Sequence, residues 1–339
     1  MKEIVGKLLA GETLTGDEAA DLVAYLTTPD LDPAVAAASL AALRIRGETP
    51  GEVRVFAEGL QDRAVRPEIR DVSRAVDVVG TGGDSSGSLN LSTGAALLAA
   101  ASGAEVVKHG NRSVSSRSGS FDVLASLGLD VPWDPLKAGA VFEQVGFTYL
   151  FAPSFHPAMK SVAPVRQAMG ARTIFNLVGP LTTPARAPHL VVGAFSQETA
   201  RMMAETLSGM DIERAFVVHG EPGWDEPTPV GPYLLFEVTP GEVRETSEDP
   251  ARFGIARCSP DDLVGGDPAE NAAAIRRVFA GETGPHRDAL VLGAALALRV
   301  TGSSPDDALD AVTSALDDGA AGELLDRLTA LASQESLSV

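Results

Sequence analysis

The sequence predicts an α/β protein with a small N-terminal helical domain and a larger α/β domain built on a mainly parallel central sheet. The first ~70 residues carry only helical patterns, short apolar strands alternate with helices from Ala75 onward, and the chain is helical again from Pro268 to its end. We therefore expect domains at 1–70 and 71–339, and the 160–185 region can add helices to the first domain.

The N-terminal helices have clear start and stop signals. Thr15 and Glu18 have capping-box spacing ahead of an apolar run, and Gly47 and Pro50 interrupt the pattern between later helices. These signals predict helices at 2–10, 15–26 and 33–46, followed by another helix that ends at about residue 64.

A βαβ unit opens the second domain. It consists of a strand at 75–79, a glycine-rich loop, a helix at 92–102 and a strand at 105–108. Further elements follow: helices near 120–127, 135–145, 157–169 and 197–208, strands at 147–151, 189–194 and 214–219, and an antiparallel pair at 233–238 and 242–246.

Composition excludes several classes of protein. No apolar run approaches the roughly 18–20 residues of a membrane span, and residues 1–10 do not resemble a signal peptide. Cys258 is the single cysteine of the 339 residues, so an intrachain disulfide and a cysteine metal cluster are both excluded. We expect a cytoplasmic protein.

The chain is strongly acidic, with 27 basic against 46 acidic residues and a net charge of −19. Such a surface argues against nonspecific nucleic-acid binding, which depends on Lys and Arg contacts to phosphates. An anionic small substrate would require the basic groups to be concentrated locally.

The strongest local signal is the loop Gly80–Asp84, directly after a predicted strand. Its glycines permit positive φ angles, and consecutive backbone N–H groups in such a loop can bind an anion. It is neither a Rossmann fingerprint nor a Walker loop, because the helix starts too late and no Gly-Lys-Ser/Thr follows. A tight surface turn is the alternative interpretation.

Two further polar segments favour an anion site. Asn90–Gly94 opens the next helix, where Ser92 and Thr93 add hydroxyls to exposed helix N–H groups. Lys108–Arg112 ends the next strand, and serines at 113, 115 and 116 follow it. Because neighbouring parallel strands end at one crevice, Lys108 and the Gly80–Asp84 loop should share a site.

These motifs together resemble the anthranilate phosphoribosyltransferase family, over nearly the whole chain. Each segment alone is weak, whereas the combination is highly specific. The matching segments are Arg46–Thr49, Gly80–Asp84, Asn90–Thr93, Lys108–Arg112, Ser115–Ser120, Phe151–Pro153, His156–Lys160, Val165–Arg166, Arg172–Leu177, Gly179–Leu181 and Glu270–Ala272.

The resemblance implies a fold like that of nucleoside phosphorylases and phosphoribosyltransferases, a homodimer, and Mg²⁺-dependent transfer of a phosphoribosyl group from 5-phosphoribosyl diphosphate (PRPP) to anthranilate. It implies donor-binding roles for Gly80, Gly82, Gly83, Asp84, Asn90, Ser92, Thr93, Lys108 and Ser120. It implies acceptor-binding roles for Gly80, His109, Asn111, His156, Arg166 and Gly179, and metal binding by Ser92, Asp225 and Glu226.

The chemistry of two of these groups agrees with the implied roles. Arg166 can form a forked pair with a substrate carboxylate, although a surface arginine is the alternative. Adjacent Asp225 and Glu226 offer the oxygen ligands that Mg²⁺ prefers, although a solvated acidic loop would look the same.

Three rival functions stay open from the sequence. Flanking residues that depart from the family pattern, such as Trp224 and Pro227, leave room for a paralogue that uses another aromatic acceptor. A pyrimidine nucleoside phosphorylase would carry a different glycine-rich loop. A non-catalytic nucleic-acid-binding relative would carry a basic stripe, which the charge of −19 disfavours.

Overall fold

A computed structural model of the protein describes residues 1–112 and 117–334. The predicted class is confirmed: a helical N-terminal portion is followed by a seven-stranded sheet with helices on both faces and a helical C-terminal portion. The helices are α1 (Lys2–Leu9), α2 (Gly16–Leu26), α3 (Pro33–Arg46), α4 (Pro50–Asp62), α5 (Leu91–Ala101), α6 (Ser120–Ser126), α7 (Pro135–Val145), α8 (Ala152–Phe155), α9 (Ala163–Met169), α10 (Ile174–Val178), α11 (Gln197–Leu207), α12 (Pro268–Phe279), α13 (Pro285–Val300), α14 (Pro305–Asp317) and α15 (Ala320–Ala332).

The sheet has the strand order β3-β2-β1-β4-β5-β6-β7. Strands β1 to β5 run parallel, and β6 and β7 complete one edge as an antiparallel pair. The carboxyl ends of the five parallel strands therefore meet at one edge, where ligands bind in open α/β sheets. The strands are β1 (Ala75–Gly80), β2 (Glu105–Gly110), β3 (Phe147–Phe151), β4 (His189–Gly193), β5 (Arg214–Gly220), β6 (Tyr233–Thr239) and β7 (Glu242–Glu248).

The N-terminal helices begin where the caps predict. Thr15 and Glu18 form the expected capping box of α2, and Thr49 with Glu52 forms a second one at α4. Glu52 also accepts the backbone N–H of Leu14 at 2.9 Å and pairs with Arg46. This buried carboxylate thus ties the start of α4 to the connection before α2.

Two apolar clusters lie on opposite faces of the sheet. One contains α5 and the C-terminal helices, and the other joins the N-terminal helices to α9, α10 and α11. Glycines allow α5 and α13 to approach closely, because a Cβ atom at Gly94 would lie 2.7 Å from Leu290 and one at Gly293 would lie 2.8 Å from Ala95.

The prediction of one continuous helix at 157–169 is wrong. The structure has the short helix α8, a 3₁₀ turn at Pro157–Lys160 and then α9. Pro164 lies inside the predicted range, lacks a backbone N–H and disfavours the helical conformation of the residue before it, so a new helix begins beside it with Pro164 in its first turn. The other predicted elements are present, with ends shifted by a few residues.

The connection between α4 and β1 is hydrogen-bonded to two helices, α8 and α7. Val65 donates its N–H to the carbonyl of Phe155 at 2.8 Å, and Glu68 donates to that of Pro135 at 3.0 Å. Gly139 of α7 faces this connection, and a Cβ atom there would overlap the backbone of Glu68. The close approach therefore requires glycine at 139.

No helix of the described part of the chain combines the length and the apolar character needed to cross a membrane.

Replacing Gly139 with alanine is expected to lower the free energy of unfolding by about 1–3 kcal/mol, because the added methyl group must displace backbone. Gly6→Ala is the matched control, since a Cβ atom at Gly6 meets nothing within 4 Å. That change should be neutral or stabilise by about 0.5–1 kcal/mol through helix propensity. Urea denaturation of both variants measures the two changes in the free energy of unfolding. Equal changes would contradict the packing described.

Candidate active site

The glycine-rich loop after β1 is held in a defined shape. Gly82 and Gly83 have φ angles of 63° and 73°, in the left-handed region that favours glycine. Thr81 donates its N–H to the carbonyl of Gly193 at 2.9 Å and accepts the N–H of Phe195 on its hydroxyl at 3.2 Å. The loop therefore follows the connection after β4 and is not a free surface turn.

Lys108 lies buried beside this loop. Its ammonium group donates to the carbonyl of Val78 at 2.6 Å and lies 3.4 Å from the hydroxyl of Ser92. The convergence expected from neighbouring strand ends is therefore present in the structure. Burial lowers the pKa of Lys108, and the charges of Asp77 and Glu226 oppose that shift.

Side chains join β1 to β2 where the strand ladder ends. In the described structure, register pairs link Ala75 with Glu105 and Val76 with Val106. Beyond them, the fully buried carboxylate of Asp77 accepts the N–H of His109 at 3.0 Å. Burial raises the pKa of Asp77 to about 7. The side chains of Asp77 in β1 and Lys108 in β2 thus each bond to the backbone of the other strand and hold the two strand ends together.

The acidic pair reaches the same edge from the loop after β5. Asp225 accepts the N–H of Gly82 at 2.7 Å, and Glu226 accepts the N–H of Ser92 at 3.0 Å. Burial raises the pKa of both carboxyls, and neighbouring negative charge adds to the effect, from Asp84 on Asp225 and from Asp225 on Glu226. Three carboxyl groups thus lie close together in a buried or half-buried place, an arrangement that a bound cation would stabilise.

The acidic pair owes its position to packing as well as to hydrogen bonds. Trp224 is buried and exchanges two backbone hydrogen bonds of 2.9 Å with Gly220. A Cβ atom at Gly80 would lie 2.5 Å from the Asp225 carboxylate, and one at Gly193 would overlap the Asp225 backbone. Glycines at both strand ends therefore make room for Asp225.

Within residues 1–112 and 117–334, no three His, Cys, Asp or Glu side chains form a group that could hold a metal ion. A divalent cation held by Asp225 and Glu226 would need further oxygen ligands from substrate or water. This donor set fits Mg²⁺, which commonly takes one or two carboxylates together with phosphate oxygens.

The other predicted donor residues surround this edge. Asn90 donates to the carbonyl of Ser118 at 3.0 Å and accepts from the buried Asn271 at 2.8 Å. Asp84 accepts from the backbone and hydroxyl of Ser86. Thr93 is buried in the first turn of α5, and Ser120 lies 3.1 Å from the hydroxyl of Tyr149. The serines at 113, 115 and 116 lie outside the described residues.

Two buried histidines lie together on the acceptor side. The rings of His109 and His156 have centroids 5.2 Å apart, and His156 bonds to the carbonyl of Thr182 at 3.0 Å. The Thr182 hydroxyl donates to the carbonyl of Gly179 at 2.9 Å. Gly179, another predicted acceptor-binding residue, is thereby linked to His156 through Thr182. Burial lowers the pKa of both histidines, so both rings are neutral at pH 7.

Arg166 and Asn111 are two predicted acceptor-binding residues that have no described contact with the histidine pair. The guanidinium carbon of Arg166 lies 5.1 Å from the ring centroid of Phe175, and no carboxylate of the described chain pairs with it. Burial lowers the pKa of Arg166. The Asn111 side chain accepts the N–H of Arg112 at 2.7 Å and is exposed. No described contact joins either residue to the histidine pair.

Sequence reasoning missed Arg172 and Asp77. Arg172 donates to the carbonyl of Gly83, which is 89 positions away in the chain. Asp77 appeared in the sequence as one strand residue among others, although a lone carboxylate in an apolar strand is a signal that could have been used.

Fold and site together define a two-part glycosyl transferase. Residues 2–64 match the model described as "Glycosyl transferase family, helical bundle domain". Residues 72–322 match the model described as "Glycosyl transferase family, a/b domain".

The chain belongs to the anthranilate phosphoribosyltransferase family, as the resemblance indicated. The enzyme of that name from Rubrobacter xylanophilus is 42% identical over 330 residues, 96% of each chain. The crystal structure of the Thermus thermophilus enzyme superposes with a TM-score of 0.90 at 42% identity and covers 98% of this chain and 99% of its own. The Saccharomyces cerevisiae enzyme, solved in complex with PRPP and Mg, superposes at 0.87 with 22% identity over 98% and 97%, which shows a shared fold.

Replacing Gly80 with alanine is expected to push Asp225 away from the Gly82 amide, because the new methyl group would occupy the place of the carboxylate oxygen. Hydrogen exchange at Gly82 should accelerate about tenfold, as for the loss of one hydrogen bond. Gly51→Ala, with open space around it, is the control. Unchanged exchange in the Gly80 variant would contradict the described contact.

Proposed function

We propose that this protein transfers the 5-phosphoribosyl group from PRPP to anthranilate, with release of diphosphate, as a step of tryptophan biosynthesis. The observation that carries the proposal is the convergence of Lys108, the glycine-loop amides and the acidic pair at one edge of the sheet. Relatives that are about 40% identical over nearly the whole chain are named anthranilate phosphoribosyltransferase. The test is an anthranilate fluorescence assay with PRPP and Mg²⁺, in which loss of fluorescence on product formation supports the proposal.

Donor binding is assigned to the residues around the glycine loop. We assign Lys108 and the loop N–H groups other than those of Thr81 and Gly82, which bond within the chain, to the diphosphate. The buried ammonium group provides positive charge, and the loop provides donors beside it. The full donor set is Gly80, Gly82, Gly83, Asp84, Asn90, Ser92, Thr93, Lys108 and Ser120. The orientation of Asn90 by Asn271 supports its part in this set.

Mg²⁺ is the proposed cofactor, with Asp225, Glu226 and Ser92 as its protein ligands. When bound, it would neutralise charge on the leaving diphosphate. The two carboxyls are desolvated and crowded, which supports the assignment. Their hydrogen bonds to Gly82 and Ser92 hold them against the donor-binding segments.

Acceptor binding is assigned to Arg166, His109, His156, Asn111, Gly179 and Gly80. Arg166 has no carboxylate partner in the described chain, so its fork is free for the anthranilate carboxylate. The two histidines are neutral at pH 7, so they add no positive charge to the acceptor-binding set. The aromatic amine is itself neutral at pH 7, so we assign no general base.

Catalysis then depends on positioning and electrostatics. The bond from ribose C1 to diphosphate breaks as positive charge develops on the ribose ring, as in other glycosyl transfers. Lys108 and the loop amides offset the charge that accumulates on the leaving group. By pairing with the anthranilate carboxylate, Arg166 would orient the amine nitrogen toward C1, to which it bonds as the bond to diphosphate breaks.

We further propose a homodimer, a cytoplasmic location and domains at 1–70 and 71–339. The family models end at 64 and begin at 72, which supports the domain boundary. The shared apolar cluster of the N-terminal helices with α9 and α10 supports a helical contribution from 160–185. Light scattering coupled to size exclusion measures the oligomeric state.

Arg166→Ala should raise the KM for anthranilate about 10–100-fold, because a charge-assisted fork is lost. The KM for PRPP should change less than about threefold, since Arg166 has no described contact with the donor loop. Arg214→Ala, at the start of β5 and so on the sheet edge away from the site, is the control. Equal increases in both KM values would count against an acceptor role.

The double variant Asp225→Asn, Glu226→Gln should shift the Mg²⁺ concentration for half-maximal activity upward by at least about tenfold. The amides keep hydrogen-bond acceptors for Gly82 and Ser92 but lose the charge. Activity titrations against Mg²⁺ at saturating PRPP measure the shift. An unchanged titration curve would remove both residues from the metal site.

A further inference from the structure

Arg172 connects the acceptor side of the site to the donor loop. It lies between α9 and α10, and its guanidinium donates to the carbonyl of Gly83. A Cβ atom at Gly83 would lie 2.7 Å from the same nitrogen. Glycine at 83 therefore serves two purposes, since it permits the left-handed backbone and admits the guanidinium.

Phe195 also contacts the guanidinium group of Arg172. The central carbon of the Arg172 guanidinium lies 3.8 Å from the Phe195 ring centroid, a cation–π distance. The N–H of Phe195 bonds to Thr81 in the same loop. Arg172 is thus fixed against two parts of one loop, which reduces the entropy it would lose on binding a ligand.

The charge of Arg172 has no carboxylate partner within 4.0 Å in the described chain. Arg46 and Arg299, which brace the structure, pair with Glu52 and Glu248 respectively. Arg172 has no such carboxylate partner in the described chain, although the sequence has 46 acidic residues. A guanidinium has five N–H donors, and one of those of Arg172 is directed at Gly83.

We propose that Arg172 is a donor-binding residue that holds the Gly83 peptide in place and offers its other N–H groups to the diphosphate of PRPP. The inference rests on the proposed function, because it assumes that the donor occupies the glycine loop. Guanidinium groups match the geometry of phosphate oxygens through paired hydrogen bonds. Arg172 thereby adds a second fixed cation to the one that Lys108 supplies.

The test measures binding of inorganic diphosphate in the presence of Mg²⁺ by calorimetry, together with KM values for both substrates. Arg172→Ala should weaken diphosphate binding about 10–100-fold, as expected for a charge-assisted hydrogen bond. The KM for PRPP should rise in proportion and that for anthranilate by less than about threefold. Arg201→Ala is the matched control, because Arg201 also lies over a phenylalanine ring but pairs with Glu245.

Chemical rescue separates a binding role from a structural one. Methylguanidinium at millimolar concentration should restore part of the diphosphate affinity of Arg172→Ala, whereas urea at the same concentration should not. Arg172→Lys keeps the charge and loses the fork, so it should bind diphosphate with intermediate affinity. If Arg172→Ala does not fold, Arg172→Lys and Phe195→Leu take its place, and both should weaken binding several-fold.

Unchanged diphosphate affinity in the Arg172 variants would overturn the inference. A second contrary result would be weaker diphosphate binding that methylguanidinium does not rescue, accompanied by an equal rise in the KM for anthranilate. A wild-type protein that binds diphosphate but forms no product from PRPP and anthranilate would instead refute the proposed function. The two failures are therefore distinguishable.

Discussion

The buried ammonium group of Lys108 is the interaction on which the site depends. It binds the carbonyl of Val78 in the neighbouring strand and approaches the hydroxyl that opens α5. Burying a cation is unfavourable unless it is paired and hydrogen-bonded. Asp77 and Glu226 supply negative charge, and the backbone supplies the hydrogen bond. A substrate anion at this edge therefore meets a cation that is already desolvated and fixed.

The carboxylates stabilise the same arrangement from the opposite side. Asp225 and Glu226 reach across from the loop after β5 and accept N–H groups from the two segments that flank Lys108. Burial and mutual repulsion disfavour the charged forms of these two carboxyl groups. The site thus combines charges of both signs in a small volume. On the proposed function, a bound divalent cation would offset the repulsion between the carboxylates, and the diphosphate would pair with Lys108.

Local signals were sufficient for most of the fold. Capping residues such as Thr15 and the alternation of short strands with helices predicted the elements and the two-part organisation. The break between the 3₁₀ turn at Pro157–Lys160 and α9 was missed because Pro164 was placed inside one helix, although proline is best accommodated in a first turn. The convergence of Lys108 with the glycine loop followed from a general property of parallel sheets.

The remaining parts of the site depend on contacts between distant segments. Asp225 and Glu226 could be named only through family resemblance, because no local pattern brings them to Gly82 and Ser92. Arg172 stood within a recognised motif, but its contact with Gly83 spans 89 positions and has no local signature. The lone carboxylate of Asp77 could have been noticed in its apolar strand, but its partner could not, since that partner is a backbone N–H on another strand. Tertiary packing alone creates these pairs.

The apolar cluster on one face of the sheet has a consequence for cooperativity. It contains residues of α2, α3 and α4 together with residues of β4, β5 and β6. Fully buried side chains such as Leu22 and Phe56 thus share one interior with Val192 and Phe236. Removing residues 1–62 would expose a large apolar area of the sheet to water. The two parts should consequently melt in a single transition, and a separately expressed α/β portion should aggregate instead of remaining monomeric and folded.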